Sequence, residues 1–212
     1  MRCQICYSND TKICTRILSK TYWECKTCFA KFLDVSHYLS AKDEYAHYCT
    51  HQNEIYDPHY RKFLSKLVIP LKRVLTNQKF GLDYGCGPGP ALSIMLDECG
   101  FEMSKYDPFF FPDNKILSKQ FDFITCSETV EHFFNPNAEF IRLDKMLKTN
   151  GIIAIMTNFL TEDLNFEDWY YRKDPTHVVF YSKTTFETIS KQRGWKVHFP
   201  ATNVVFFEKS DL

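Results

Sequence analysis

Apolar positions recur along the chain with two different periods, and the elements follow from where the period changes. From Tyr60 to Thr76, Phe63, Leu64, Leu67, Val68, Leu71, Val74 and Leu75 fall at helical spacing, with Pro70 placed to kink the helix or split it in two. A short apolar segment ending at Leu82 reads as a strand, and Ala91-Leu92-Ser93-Ile94-Met95-Leu96 as a helix after a glycine turn. Gly100 to Tyr106 is a second strand, ending in Asp107, and Phe121 to Cys126 a buried one. Asn135-Pro136-Asn137 starts a helix with Phe140, Ile141, Leu143, Met146 and Leu147 on its apolar side, and Thr149-Asn150-Gly151 ends it. The nearly continuous apolar run from Ile152 to Thr157 is expected of a central parallel strand. Ser182 starts a last helix that Gly194 stops, and Trp195–Phe199 and Asn203–Glu208 close the chain as strands. Alternating strands and helices predict an α/β fold.

Two stretches keep neither period. From Asp34 to about Pro58 the chain is rich in Tyr, His and charge, and is read as a connecting segment with one short helix. His37, His47 and His51 fall there and are expected to be solvated or packed. Thr161 to Tyr181 is an aromatic, charged insertion at the end of the sheet where ligands bind and substrate choice resides.

At 212 residues the chain suits one domain plus a small appendage. Its 44% hydrophobic and 17% aromatic content excludes a disordered protein. Lys plus Arg equals Asp plus Glu, 26 each, which weighs against a generic grip on nucleic acid. Met1-Arg2-Cys3 opens the first motif at once and no apolar run reaches membrane-spanning length, so the expected location is cytoplasmic, with no membrane partner.

Nine cysteines are an odd number, and four fall at metal-ligand spacing: Cys3-x-x-Cys6 and, after eighteen intervening residues, Cys25-x-x-Cys28. Two such knuckles can place four thiolates around one Zn²⁺ with a β-hairpin between them, so 1–34 is expected to be a zinc ribbon. A closed four-thiolate set argues for a structural ion. Cys14 and Cys49-x-His51 are weaker candidates as substitute ligands.

The stretch Leu82-Asp83-Tyr84-Gly85-Cys86-Gly87-Pro88-Gly89-Pro90 has no Cβ at its three glycines, so a bulky ligand can lie against backbone. Its G-x-G-x-G spacing differs from the dinucleotide fingerprint of dehydrogenases, G-x-G-x-x-G. It resembles motif I of the class I S-adenosylmethionine-dependent methyltransferases. The resemblance runs over about residues 60–208 and implies a Rossmann-like, doubly wound methyltransferase sheet over 60–212, after a connecting segment at 35–59. It implies that Asp83 holds the methionine amino group, directly or through water, and that Gly85, Cys86, Gly87 and Gly89 admit the rest of S-adenosylmethionine. Asp107, eighteen residues beyond Gly89, is placed to accept both ribose hydroxyls. Only thirteen residues separate Asp107 from Phe121, so the sheet should lack or shorten its third strand. Phe109-Phe110-Phe111 then either walls the adenine pocket or caps a sheet edge.

Glu128-x-x-Glu131-His132 follows the strand where cofactor and substrate meet in that family, and His177 lies in the later insertion. If Glu128 to His132 is helical, residues four apart share a face. The pattern is similar to the E-x-x-E-H plus distal His of the small-RNA 2′-O-methyltransferases and to the E-H region of the ubiquinone-biosynthesis O-methyltransferases. These four residues could hold a catalytic Mg²⁺ or Mn²⁺, His132 could act alone as general base, or the pair could merely pack. The expected activity is O-methylation of a small hydroxylated molecule. An RNA-modifying methyltransferase is the alternative, and a non-catalytic zinc-ribbon adaptor a further one. Oligomeric state is not legible.

Overall fold

The computed structural model describes residues 1–50 and 54–210. The chain opens with strands β1 (Thr11–Ile17), β2 (Lys20–Cys25) and β3 (Lys31–Leu33). Leu18 and Ser19 join β1 to β2 with φ of 47° and 66°, the left-handed pair that matches the twist of a two-residue hairpin. Helix α1 (Ala41–Tyr48) begins where Ser40 Oγ accepts from Asp43 N at 3.2 Å. Helix α2 (Pro58–Val74) runs unbroken through Pro70. Leu64, Leu67 and Val68 before the proline and Leu71 after it are all buried, and that burial offsets the roughly 3 kcal/mol an internal proline costs.

Next come β4 (Phe80–Tyr84), α3 (Ala91–Asp97), β5 (Glu102–Tyr106), β6 (Phe121–Ser127), α4 (Pro136–Met146) and β7 (Leu147–Met156). The short helix α5 (Tyr170–Lys173), the two-residue strand β8 (Val179–Phe180), α6 (Lys183–Arg193), β9 (Trp195–Ala201) and β10 (Val204–Lys209) complete the chain. A capping box at Ser182 and Thr185 starts α6, and Gly194 at φ 68° ends it.

Six strands form the main sheet in the order β5-β4-β6-β7-β10-β9. The first four are parallel, and β10 and β9 add antiparallel. β5 is the edge, because the chain between Asp107 and β6 makes only an Asp107–Phe111 bridge and a 3₁₀ turn at Ile116–Ser118. The missing third strand expected from the thirteen-residue gap is thus observed. Period-two alternation divides the core between the faces. Phe123, Ile152 and Ala154 meet α2 and α3, whereas Ile124, Ile153 and Ile155 belong to a larger core with Phe140, Phe186 and Phe207.

One local expectation is corrected. Helix α4 ends at Met146, and Thr149-Asn150-Gly151 lies inside β7 as a bulge opposite β6, with Asn150 at φ 59°. A Cβ on Gly151 would sit 2.8 Å from the Asp122 carbonyl, so glycine here serves close strand approach rather than a helix stop. The described part of the 35–59 stretch holds the one short helix expected, α1, with a 3₁₀ turn at Val35–His37, and α2 begins at its end with Pro58.

The first three strands are tied into the larger domain. β3 pairs with β8, extending the hairpin to a four-stranded sheet. Thr185 Oγ1 donates to the Cys28 carbonyl at 2.8 Å and Asn137 Nδ2 to the Ile5 carbonyl at 2.9 Å. Ile5, Tyr22, Phe32 and Leu33 belong to the same buried core as Phe140 and Phe207. No helix among the described residues is long and apolar enough to cross a membrane.

Candidate functional site

A cleft of about 880 Å³ opens at the carboxyl ends of β4, β5 and β6, where the direction of chain progression through the sheet reverses. Gly85 and Gly87 turn the chain out of β4 with φ of 76° and 63°. A Cβ on Gly85 would fall 2.2 Å from Thr129 Cγ2, so this glycine lets the β4 turn press against the β6 turn. A Cβ on Gly87 would meet nothing within 4 Å, and Gly87 lines the cleft with Cys86 and Pro88. Asp107 is buried beside them. Its Oδ2 accepts from Gly87 N at 3.0 Å, and its Oδ1 from Phe109 N at 2.9 Å and Phe110 N at 3.0 Å.

Asp83 lies one layer deeper. Its carboxylate accepts from Ser93 Oγ at 2.9 Å and Thr125 Oγ1 at 3.0 Å. Burial pushes its pKa up to about 6 against those two bonds, which lower it. A second cavity of about 20 Å³, room for one water, is bounded by Asp83, Gly85, Gly89 and Tyr60. Phe109 and Phe110 line the main cleft, with the Tyr45 ring of α1 5.7 and 5.6 Å from theirs.

The opposite wall carries Glu128, His132 and His177. The expectation of a helix through Glu128 to His132 is corrected. Glu128 takes φ 48° and Thr129 φ −133°, and only Val130–His132 form a 3₁₀ turn, so Glu128 and His132 do not share a helix face. The group whose ligating atoms lie within 4.8 Å of one another is Glu131, His132 and His177, without Glu128.

His132 Nδ1 lies 3.1 Å from the Thr176 carbonyl and His177 Nδ1 2.6 Å from the Tyr171 carbonyl. A carbonyl only accepts, so each Nδ1 carries a hydrogen and donates it. The two rings meet edge to face at 4.7 Å. Glu131 is fully buried and accepts from the Tyr171 hydroxyl and from Thr157 Oγ1, the latter at 3.0 Å. Burial raises its pKa, and His177 opposes that shift. Glu128 is pushed up to about 9, first by burial and then by the Glu131 charge.

The Cys3, Cys6, Cys25 and Cys28 sulfurs also lie within 4.8 Å of one another, with Cys3–Cys28 at 3.7 Å and Cys6–Cys25 at 3.5 Å. A tetrahedral ion with Zn–S bonds of about 2.3 Å needs edges of about 3.8 Å, so the four thiols fit a metal and are too far apart for disulfides. Cys14 and Cys49 stand outside this group, and His51 lies outside the described residues.

Several cleft residues escape the sequence reading: Glu44 and Tyr48 from α1, and Tyr84 and Tyr106 at the ends of β4 and β5, whereas Tyr171 in α5 and Asp174 just after it come from the insertion expected at the ligand end. Tyr84 and Tyr106 had a signal, since each is the last residue of a strand whose carboxyl end faces the ligand. Glu44 and Tyr48 had none, because α1 has no strong apolar face.

An open, mostly parallel sheet with a glycine turn and an acid after its neighbouring strand, both on one cleft, fits the class I S-adenosylmethionine-dependent methyltransferases. The family described as Methyltransferase domain matches residues 56–198, and the chain belongs to that family. The protein is therefore an S-adenosylmethionine-dependent methyltransferase, and the open cradle at Gly87 beside Asp107 fits that cofactor.

Solved structures bear out the fold. A protein from Pyrococcus horikoshii OT3 is 16% identical with TM-score 0.54, covering 78% of this chain and 99% of that one. An O-methyltransferase family protein from Burkholderia thailandensis is 10% identical with TM-score 0.53, covering 80% of this chain and 63% of that one. DesVI of Streptomyces venezuelae is 12% identical with TM-score 0.51, covering 74% and 97%. No curated protein sequence matches the chain.

Proposed function

We propose that this enzyme transfers the methyl group to a hydroxyl of a small, uncharged or cationic molecule, activated at Glu131, His132 and His177. The observation that carries the reading is this donor set. Two imidazoles are held by Nδ1–H bonds to backbone carbonyls, and each offers a ring nitrogen within 4.8 Å of a buried, hydrogen-bonded carboxylate oxygen. Ligating histidines are held this way when a divalent ion sits between them. Mg²⁺ or Mn²⁺ there would lower the acceptor's pKa and orient its oxygen. The cofactor would lie along Gly85, Cys86, Gly87 and Gly89, with its ribose at Asp107 and its methionine end toward Asp83 and the water-sized cavity.

The cleft lining favours a small acceptor over RNA. Among the described residues it includes Glu44, Asp107, Glu139 and Asp174 and neither lysine nor arginine, so it attracts a sulfonium and repels a polyanion. Cys3, Cys6, Cys25 and Cys28 would hold a structural Zn²⁺, and reduced thiols suit the cytoplasm.

A cell extract given enzyme and cofactor labelled in its methyl group tests the reading. Label should enter the low-mass fraction, and label in RNA would favour the rival acceptor. Mild chelation should stop transfer and added Mg²⁺ or Mn²⁺ restore it, with His177→Ala inactive yet cofactor-bound. Full activity in chelator, with His132→Ala alone inactive, would make His132 a lone general base.

A further inference from the structure

The lone-pair inventory at Asp107 is short by one. A carboxylate offers about four acceptor sites. Phe109 and Phe110 N–H fill both on Oδ1, and Gly87 N–H takes one on Oδ2. One site remains for two ribose hydroxyls. Leaving a buried donor unmatched is costly, so a second acceptor is needed.

Glu44 lies where that acceptor should be. It lines the same cleft as Gly87, Asp107, Phe109 and Phe110, and is 9% exposed. Its Oε1 accepts from Tyr48 Oη at 2.8 Å, and among the described residues no ion pair involves it. The Asp107 charge helps to raise its pKa, after burial, which puts the two carboxylates within electrostatic reach. Tyr45, the next residue, rests on the Phe109 and Phe110 rings of the loop that holds Asp107. No lysine or arginine lines the cleft, so the donor that satisfies this carboxylate comes from the ligand, and a ribose hydroxyl beside Asp107 supplies one.

We infer that Glu44 is a cofactor-binding residue, taking one ribose hydroxyl while Asp107 takes the other. Helix α1 thereby completes the cofactor site from outside the matched methyltransferase region, which begins at residue 56. The inference rests on the reading that the ribose lies at Asp107.

Titration calorimetry on the full chain tests it, with S-adenosylhomocysteine, 5′-methylthioadenosine and the 2′-deoxy and 3′-deoxy forms of the latter. Glu44→Gln keeps an acceptor for Tyr48 and should preserve the fold, which a thermal melt checks. It should weaken S-adenosylhomocysteine about tenfold or more, the scale of a charged hydrogen bond. One deoxy analogue should lose affinity on the wild type but not further on Glu44→Gln, while the other loses equally on both. Losses that add for both analogues would overturn the role of Glu44. A wild type that binds none of the four would instead overturn the cofactor placement on which it rests.

Discussion

Gly85 and Gly87 share a left-handed backbone but answer to different constraints. At Gly85 the obstacle is Thr129, 2.2 Å from any added Cβ, whereas at Gly87 the space is open and belongs to the cleft. Gly85→Ala should therefore cost more stability in urea melts than Gly87→Ala, which carries only the roughly 1–2 kcal/mol of a left-handed alanine. Gly87→Arg should fold yet lose cofactor binding by calorimetry. Equal destabilisation by the two alanines would contradict the distinction. Asp83 makes a pH prediction. Its folded pKa, about 6, lies above its ordinary 3.8, so the folded state holds the proton more tightly. The stability gained is present below about pH 4 and lost as pH rises through about 6, a difference of about 3 kcal/mol. Asp83→Asn should flatten that decline. A cofactor ammonium needs the carboxylate, so wild-type affinity should also fall below pH 6, and a pH-independent affinity would argue that Asp83 does not meet the amino group.

At the scale of elements, β1 to β3 reach the cleft wall through β8. Leu33 N donates to the Val178 carbonyl at 2.8 Å, Val178 N donates to the Glu131 carbonyl at 2.9 Å, and His177 is the adjacent residue. Cys25→Ser should therefore raise hydrogen exchange at Val178 to Phe180 as well as in β1 to β3, and exchange confined to 1–34 would uncouple the two. This link also marks where sequence reading stops. The parallel strands and their helices were legible because Ile152 to Met156 and the Leu64 to Leu71 stripe carry their period locally. That Gly87 and Asp107 meet at neighbouring strand ends was legible because each follows its own strand directly in the chain. The pairing of β3 with β8 was not, since a two-residue strand 146 positions away leaves no period. Nor was the turn at Glu128, whose left-handed φ is imposed by packing around Thr129 and not by a residue type that favours it.

Across the whole molecule one buried core holds Tyr22, Phe32 and Leu33 from the ribbon strands together with Phe166, Phe180, Phe186 and Phe207. Those three ribbon side chains are at most 1% exposed. At about 1.5–3 kcal/mol each, their burial is worth roughly 6 kcal/mol, comparable with the 5–15 kcal/mol that separates a folded domain from its unfolded chain. The thiol cluster lies on the same body, and a metal there stabilises only a folded ribbon. Chelating the proposed Zn²⁺ should therefore lower the melting temperature of the whole protein in a single transition, with near-ultraviolet signals from Trp169 and Trp195 lost together with that from Trp23. A chain of residues 35–212 should keep helical far-ultraviolet absorption but lose those near-ultraviolet bands, because Phe166 and Phe180 would face water. Two resolved transitions in the full chain, the first abolished by chelator and the second unmoved, would instead show the ribbon to be an independent domain.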